Sequence, residues 1–386
     1  MSRRGRNFEL RRQAEQIAEE RVFLSTTLPV LKIGKHAPRF PLIQGGMGVA
    51  ISGPSLAGHV AKCGGVGTIA SVGLAANSPH YNGRNYFEAN QLAVKEAIAE
   101  ARRIAGPGGV IAVNCMVALT DYDRQTRSAC EGGVDVIISG AGLPLRLPEY
   151  TRDFPEVALV PIVSSLKAAA LITRRWEKTY GKVPDGFVME TPKYAGGHLG
   201  VTKMDQVDDE QFTLERVIPE LVEFVEKELG GDVPVIGAGG IWGREDMLKV
   251  FSLGAKGVQV GTRFACTFEG DASDRFKQAY IDATEEDVVI IESPAGLPGR
   301  VLNSPFVRQY LEGDVKSKPC MANCLTHCRY KTDKETFCIA QALIDSFRGN
   351  WEEGLFFCGS NVARIDRMQH VSEIMEEFFP AAGVQG

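Results

Sequence analysis

One histidine set among glycines is the residue with the most chemical potential in this sequence. His198 lies in the stretch Tyr194–Gly200 (YAGGHLG), with glycines on both sides. An imidazole changes its charge near neutral pH, so His198 is a candidate general acid or base. Its small neighbours would let the ring approach a flat cofactor without steric conflict. A purely structural histidine is the alternative.

Small residues recur directly after four apolar runs. In chain order they are Gln44–Gly48 (QGGMG), Ser139–Gly142 (SGAG), Gly237–Ile241 (GAGGI) and Gly261-Thr262. Because glycine lacks a Cβ, a flat ring or a phosphate can contact the main-chain N–H groups of such loops. The four loops together predict a bound phosphorylated cofactor, and tight turns without a ligand are the alternative. Asn114 ends the third apolar run and Lys167 follows the fifth, and each would reach a ring edge or a phosphate, or close a loop.

Four of the nine cysteines crowd into one short stretch, as Cys320, Cys324, Cys328 and Cys338. Four thiolates this close could hold an iron–sulfur cluster or a zinc ion. Their spacing matches neither the paired CxxC motifs of zinc sites nor the common ferredoxin run, so packed thiols without a metal are the alternative. The other five cysteines are expected to be small buried hydrophobes and not a disulfide framework.

A repeating strand–helix unit must position these residues. Eight runs, most of them apolar throughout, are predicted as parallel strands buried on both faces. They cover 41–47, 67–72, 110–116, 134–140, 158–164, 186–191, 233–239 and 257–264. Helical spacing links them, for example in Ser165–Tyr180 and Leu214–Leu229. Eight such units predict an α/β fold, the (β/α)8 TIM barrel, whose active sites form at the carboxyl ends of the strands. A doubly wound sheet is the alternative.

The strand–helix pattern divides the chain into three parts. Residues 1–35 are predicted to hold an N-terminal helical extension, 36–284 a cofactor-binding barrel, and 285–386 an appended C-terminal helical region with the four clustered cysteines. Helices are predicted in that last region at Ile339–Phe347 and Arg367–Phe379. The polar segment Ala75–Asn90 is predicted as a loop over the barrel mouth, because Asn82-Gly83 is a turn signal.

Composition excludes several classes of protein. Hydrophobic residues make up 44% and charged residues 24%, which is typical of a folded globular chain and excludes disorder. The net charge of −5 gives no support for a nucleic-acid binder. No apolar run reaches the ~18 residues that a membrane span needs, and no apolar stretch follows the basic N-terminus. We therefore expect a cytoplasmic protein with no membrane partner, and the charged N-terminal segment suggests a homodimer.

The motifs as a set resemble the nitronate monooxygenase (formerly 2-nitropropane dioxygenase) family of FMN-dependent barrels. That family also holds flavin-dependent enoyl-acyl carrier protein reductases and NADH:quinone reductases. The matching segments occur in the family's order over residues 41 to about 300. They are Pro41–Gly48, Val113-Asn114, Ser139–Gly142, Ser164–Lys167, Ala195–Gly200, Pro234–Ile241, Gly261–Phe264 and Ser293–Arg300.

The resemblance implies an FMN across the barrel mouth and gives each motif a role. The flavin ring would lie near Gly45, Gly46, Met47 and Asn114, and Lys167 would contact the ring or the phosphate side. The phosphate would sit on the N–H groups of Gly239, Gly240, Gly261 and Thr262. Gly140, Ala141 and Gly197 are counted with the cofactor contacts, and His198 would be the catalytic residue that faces a small-molecule substrate.

One departure from the family bears on the reaction. Members often carry Gln-Gly-x-Glu before Ala-Gly-Gly-His, whereas this chain has Thr191–Tyr194 (TPKY). The resemblance favours oxidation of alkyl nitronates with O2. The departure keeps open an NAD(P)H-dependent enoyl-thioester or quinone reductase, in which Lys193 binds an anionic group or is a solvated loop residue. A redox-sensing or scaffold protein without catalysis is the third alternative.

Overall fold

A computed structural model describes residues 28–315, 318–320, 322–332 and 336–380. Its main feature is a set of eight short parallel strands, one at each of the predicted runs, with the second strand beginning one residue before its run. They are β1 (Leu42–Gln44), β2 (Val66–Ala70), β3 (Val110–Met116), β4 (Val136–Gly140), β5 (Ala158–Val163), β6 (Phe187–Glu190), β8 (Val235–Ala238) and β9 (Gly257–Val260). Each pairs in parallel with the next, and β9 pairs with β1, so the sheet closes. The predicted (β/α)8 barrel is confirmed.

Helices surround the barrel and continue after it. In chain order they are α1 (Pro54–Lys62), α2 (Tyr86–Ala105), α3 (Tyr122–Glu131), α4 (Leu147–Tyr150), α5 (Leu166–Tyr180), α6 (Leu214–Glu228), α7 (Arg244–Ser252), α8 (Thr262–Ala265), α9 (Asp274–Ile281), α10 (Pro305–Leu311), α11 (Arg329–Thr332), α12 (Ile339–Phe347) and α13 (Val371–Phe378). Short 3-10 turns cover Leu74–Asn77, Met204–Gln206, Glu210–Phe212, Glu285–Asp287 and Val362–Arg364. Within the described ranges no helix is both long and apolar enough to span a membrane.

Alternating residues of each strand fill the barrel interior. On β3, for example, Val110 and Ala112 belong to the interior cluster, while Ile111 and Val113 pack against the surrounding helices. This is the period of two that a strand imposes on its side chains. Leu31 joins the interior cluster from the segment before β1, and a Cβ on Gly257 would lie 3.0 Å from its Cδ2. The segment around Leu31 therefore closes the barrel at the amino end of the strands.

Helix α5 shows why the linking segments fold as predicted. The Ser165 hydroxyl accepts a hydrogen bond from the Ala168 N–H at the start of the helix, which satisfies one of the donors a helix leaves unpaired. Ala169, Ile172 and Trp176 are buried at helical spacing on one face. The helix ends at Gly181, whose φ of +62° lies in the left-handed region that favours glycine.

A second, three-stranded sheet was not predicted. It holds β7 (Gly197–His198), β10 (Val288–Glu292) and β11 (Pro298–Leu302), in the antiparallel order β10-β11-β7. β7 is only two residues long, and the apolar run of β10, residues 288–291, lies beyond residue 284, where the strand–helix repeat ends. The sheet joins residues beyond 284 directly to the loop that carries His198.

The remaining local predictions differ in outcome. Helix α12 has the predicted bounds. Helix α13 begins at Val371, four residues later than predicted, because the His370 N–H is capped by Glu373 at 2.6 Å. The predicted loop Ala75–Asn90 is wrong in its last residues, since α2 begins at Tyr86 with buried residues at helical spacing. The helix expected in the N-terminal extension falls on residues 1–27, outside the described residues.

Candidate active site

A cavity of about 750 Å³ opens at the carboxyl ends of the barrel strands. This volume lies in the range of roughly 300–1,000 Å³ that cofactor and small-molecule sites occupy. Every residue predicted to bind cofactor or to act in catalysis lines it. These are Gly45, Gly46, Met47, Asn114, Gly140, Ala141, Lys167, Gly197, His198, Gly239, Gly240, Gly261 and Thr262. The fold thus gathers residues from strands β1, β3, β4, β5, β6, β8 and β9 at one mouth.

The floor of the cavity is the top layer of the barrel interior. Strand alternation turns Asn114, Glu190 and Gln259 inward, above the apolar layers that include Ala112 and Val188. All three polar residues line the cavity. Sequence reasoning found Asn114 but missed Glu190 and Gln259. The signal was available, because each is the polar residue two positions after an inward-facing position of a buried strand.

Close approach of the first loop to β3 leaves no room for a side chain at Gly46. A Cβ there would lie 2.3 Å from the Asn114 Cβ. On the other side of this loop, next to β9, a Cβ on Gly261 would lie 3.7 Å from the Met47 Sδ. The loops after β1 and β9 therefore meet with only main chain and slender side chains between them, as a flat ring requires.

The loops after β8 and β9 form the candidate phosphate end. Gly239 and Gly240 have φ of +95° and +78°, in the left-handed region that favours glycine. The Asn361 Nδ2 donates a hydrogen bond to the Gly240 carbonyl at 2.8 Å. The Gly359 N–H donates one to the Thr262 hydroxyl, also at 2.8 Å. The C-terminal region thus holds both loops in place.

Residues 359–361 were missed in the sequence because the repeating pattern ends before them. Gly359, Ser360 and Asn361 all line the cavity. The available signal was their small, polar character directly after the buried apolar residues Leu355 and Phe356. This is the same pattern that marks the strand ends of the barrel.

His198 lies on β7, where the second sheet meets the cavity. Its Nε2 is 2.9 Å from the hydroxyl oxygen of Ser293, in the turn between β10 and β11. The Phe357 ring meets it edge-on, with the ring centroids 5.2 Å apart. Burial lowers the pKa of His198 from 6.5 to about 4. At neutral pH the imidazole is therefore uncharged. In that state it can act as a base, but it is not an imidazolium that could act as an acid.

Arg300 holds the loop that leads to His198. Its guanidinium donates hydrogen bonds to the carbonyls of Ala195 and Lys193. In the strand register, Arg300 pairs with Gly197, and Gly299 pairs with His198. The main chain on both sides of the imidazole is thus fixed from the C-terminal region. Lys193 itself has an exposed side chain, as does Tyr194, which is 43% exposed.

The cavity passes the tests that an FMN site must meet. The Gln259 Oε1 is buried and has no hydrogen-bond partner within the described ranges, as expected of a group that awaits a donor from a ligand. Gly46, Gly239 and Gly240 carry no side chain, and the last two have a left-handed backbone. Their main chain therefore faces the mouth of the cavity. Lys167, at the start of α5, adds an exposed ammonium at the rim. The residues present fit a flat ring at one end and a phosphate at the other.

The clustered cysteines do not support a metal site. Among the residues that the structure describes, no three His, Cys, Asp or Glu side chains group closely enough to hold a metal ion. Burial, and after it the neighbouring thiols of Cys338, Cys320 and Cys328, raise the pKa of Cys324 to about 12. Cys324 lines the cavity, so this part of the tail is one of its walls.

Comparison with known proteins gives the family. The model of the nitronate monooxygenase family matches residues 30–380. A probable nitronate monooxygenase of Staphylococcus haemolyticus is 32% identical over 187 residues, which cover 47% of this chain and 46% of that protein. The match therefore spans under half of that relative's length. A probable nitronate monooxygenase of Staphylococcus aureus is also 32% identical, over 34% of its length.

Solved structures agree on the fold. FabK from Thermotoga maritima is 25% identical and superposes with a TM-score of 0.65, over 89% of this chain and 92% of that one. Nitroalkane oxidase from Streptomyces ansochromogenes is 18% identical with a TM-score of 0.65, over 89% and 97% of the two chains, and this likeness shows the fold alone. The chain therefore belongs to the nitronate monooxygenase family.

Proposed function

We propose that this chain oxidises alkyl nitronates with O2 through a bound FMN. The observation that carries the proposal is a neutral imidazole, tethered by Ser293, at the rim of a cavity that fits a flavin. The family and the Staphylococcus relatives support the reaction class. The shape shared with nitroalkane oxidase is consistent with it.

FMN, when bound, would accept electrons from the substrate and pass them to O2. The main chain at Gly45 and Gly46, with Met47 and Asn114, would face its ring. The loops of Gly239, Gly240, Gly261 and Thr262 would hold its phosphate, with Gly140, Ala141, Lys167 and Gly197 as further contacts. Asn361 and Gly359 would keep the phosphate loops in shape through their hydrogen bonds to Gly240 and Thr262.

His198 would act as the general base for the substrate. When the Nε2–H donates to the Ser293 hydroxyl, Nδ1 keeps its lone pair. With a neutral nitroalkane it can take the proton from the carbon beside the nitro group and so form the nitronate, whereas a nitronate supplied as such needs no proton removal. The neutral state that this step needs is the one that burial favours. Lys167 would attract the anionic nitronate, since its ammonium lies at the rim of the cavity.

An NAD(P)H-dependent enoyl-thioester or quinone reductase is the second candidate. It rests on the loop before His198, where Lys193 and the exposed Tyr194 stand in place of the family's usual acidic residue. The shape shared with FabK supports this alternative as well. Both candidates use the same flavin site and differ in what reduces the flavin.

One panel separates the two candidates. Pure protein loaded with FMN is mixed without oxygen with NADH, NADPH, an alkyl nitronate or an enoyl thioester, and the flavin absorbance near 450 nm is followed. Bleaching by the nitronate, with oxygen uptake once air is admitted, supports the first reaction. Bleaching by NADH or NADPH alone supports the second. A protein that takes up no FMN refutes both.

The wider setting is also proposed. We place the enzyme in the cytoplasm as a homodimer, with a small-molecule substrate and O2 or NAD(P)H as its partners. Support comes from the sequence, which has no apolar run long enough for a membrane span. Sedimentation of the full chain tests the dimer, and a monomer at micromolar concentration would contradict it. The division of the chain at residues 35 and 284 likewise stays a prediction.

A further inference from the structure

Glu190 is the one ionisable side chain in the top layer of the barrel interior. It is the last residue of β6, whose inward-facing position two residues earlier is Val188. Phe187 and Met189 point the other way, into the cluster beneath the helices. Glu190 pairs with Ala238 in the strand register and lines the cavity directly before the loop of Gly239. Its carboxyl therefore faces the place that the flavin ring would take.

No charge within reach compensates this carboxyl. Across the described part of the chain, its oxygens make no hydrogen bond or ion pair. The charged and titratable groups on the loop after β6 and around the same cavity are Lys193, Tyr194, His198 on β7, Lys167 on α5, Arg263 after β9, Tyr86, Tyr280, Cys324 and Cys358. Arg263 is engaged by the Trp242 carbonyl and Glu377. Burial alone raises the pKa of Glu190 from 4.5 to about 7, so none of these groups contributes to the shift.

A flavin ring carries several hydrogen-bond acceptors, namely its carbonyl oxygens and ring nitrogens. The cavity floor presents to it the side-chain amides of Asn114 and Gln259 and the carboxyl of Glu190. A protonated carboxyl can donate a hydrogen bond to such an acceptor, whereas a carboxylate can only accept and would repel it. The unpartnered Gln259 Oε1 is suited to the ring's N–H edge. Glu190 is thus the floor residue whose ability to donate depends on pH.

We propose that Glu190 is a proton-carrying ligand of the flavin, which binds the ring through its carboxylic acid and loses that hydrogen bond on ionisation. This inference rests on the proposed FMN site and adds a pH-sensitive contact to it. Cofactor affinity then falls as the pH rises through neutrality, independently of any substrate.

The test compares FMN dissociation constants of the full-length protein, its Glu190→Gln variant and an Asp121→Asn control from pH 5.5 to 8.5. Glutamine keeps the size and a hydrogen-bond donor but does not titrate. Asp121 is a second buried carboxyl whose pKa burial raises to about 6, and it does not line the cavity. The phosphate of FMN itself titrates near pH 6, so the quantity compared at each pH is the ratio of variant to wild-type constants, in which that titration cancels.

We expect the Glu190→Gln ratio to be near one at pH 5.5 and to fall to about 0.1–0.3 at pH 8.5, the effect of one hydrogen bond. The Asp121→Asn ratio should stay constant. A constant Glu190→Gln ratio overturns the inference and leaves the FMN site standing. A wild type that binds no FMN at any pH overturns the proposed function and the inference together.

A second measurement needs no variant and covers the case in which Glu190→Gln does not fold. The absorption spectrum of the wild-type protein saturated with FMN is recorded over the same pH range. Ionisation of a group in contact with the ring should shift the visible bands with a midpoint near neutrality. A spectrum that is constant across this range overturns the inference.

Discussion

The hydroxyl oxygen of Ser293 lies 2.9 Å from the Nε2 of His198, and the two residues are 95 positions apart in the sequence. Ser293 is only 1% exposed, and its hydroxyl also accepts a hydrogen bond from the Ala295 N–H at 3.3 Å. The turn that follows β10 therefore fixes the orientation of the imidazole from outside the barrel. Sequence reasoning had included Ser293 in a family motif but assigned it no role.

Ser293→Ala should lower kcat/KM about 10-fold and leave FMN affinity unchanged. The imidazole of His198 loses its hydrogen bond to Ser293, while the glycine loops that would bind FMN are not altered. Steady-state oxygen uptake with a neutral nitroalkane and an FMN titration measure the two effects. Ser252→Ala is the matched control, since that exposed serine only caps the Lys249 carbonyl on α7. Unchanged kinetics in Ser293→Ala would refute the positioning role.

His198→Ala should lower kcat/KM for a neutral nitroalkane by about 100- to 10,000-fold, the usual contribution of a general base, with FMN still bound. The wild-type rate should also fall at acid pH with a midpoint near 4, because the imidazole with its pKa of about 4 is active when neutral. A midpoint near the ordinary histidine value of 6.5 would show that burial does not set its protonation. His80→Ala, which removes an exposed histidine paired with Glu96, is the control.

Gly46→Ala should abolish or strongly weaken FMN binding, because its Cβ would lie 2.3 Å from the Asn114 Cβ and would push the loop from β3. We expect at least a 10-fold rise in the FMN dissociation constant, together with a lower melting temperature. Gly243→Ala is a matched control, since an added Cβ there meets no atom within 4 Å. Equal affinity in the two variants would contradict the close approach.

Thr262→Val should weaken binding of FMN more than binding of riboflavin. The substitution removes the acceptor of the Gly359 N–H, a bond worth about 1 kcal/mol, and loosens the wall of the phosphate end. We expect roughly a 5- to 10-fold loss for FMN and little change for riboflavin, which has no phosphate. Equal losses for both ligands would mean that the phosphate lies elsewhere.

Glu190→Gln should stabilise the cofactor-free protein at alkaline pH. The pKa of this carboxyl is 4.5 ordinarily and about 7 when folded, so the folded state binds the proton more tightly. Wild-type stability is therefore lost as the pH rises from about 4.5 to 7, by an amount on the order of 3 kcal/mol, and glutamine avoids that loss. Melting temperatures of the two proteins should coincide near pH 4.5 and differ by several degrees at pH 8. A pH-independent difference would exclude the titration.

The barrel could be predicted from the sequence because its strands are buried on both faces and recur at regular intervals. The second sheet was not predicted. β7 is too short to give a pattern, and the apolar run of β10, residues 288–291, stands alone, outside the strand–helix repeat that marks the barrel strands. The N-terminal bound of α2 was also missed. There the polar residues up to Asn85 hid a helical pattern that begins at Tyr86.

The candidate site was found where glycines mark the strand ends, and those residues all line one cavity. Glu190 and Gln259 were missed because they sit within strands, where only their inward direction sets them apart. Gly359 and Asn361 were missed because no local signal tells a loop near residue 360 that it will meet the loops after β8 and β9. Their roles in binding remain predictions that the variants above test.

The mouth of the cavity depends on residues beyond 284, and this limits how the C-terminal region of the protein can be shortened or replaced. A fragment that ends at residue 284 would retain all eight barrel strands but forfeit Ser293, Arg300 and Asn361, and with them the support of the imidazole and of the loop at Gly240. We therefore expect that exchange of the segment beyond residue 284 for that of a relative would disturb the imidazole and the loop at Gly240 together.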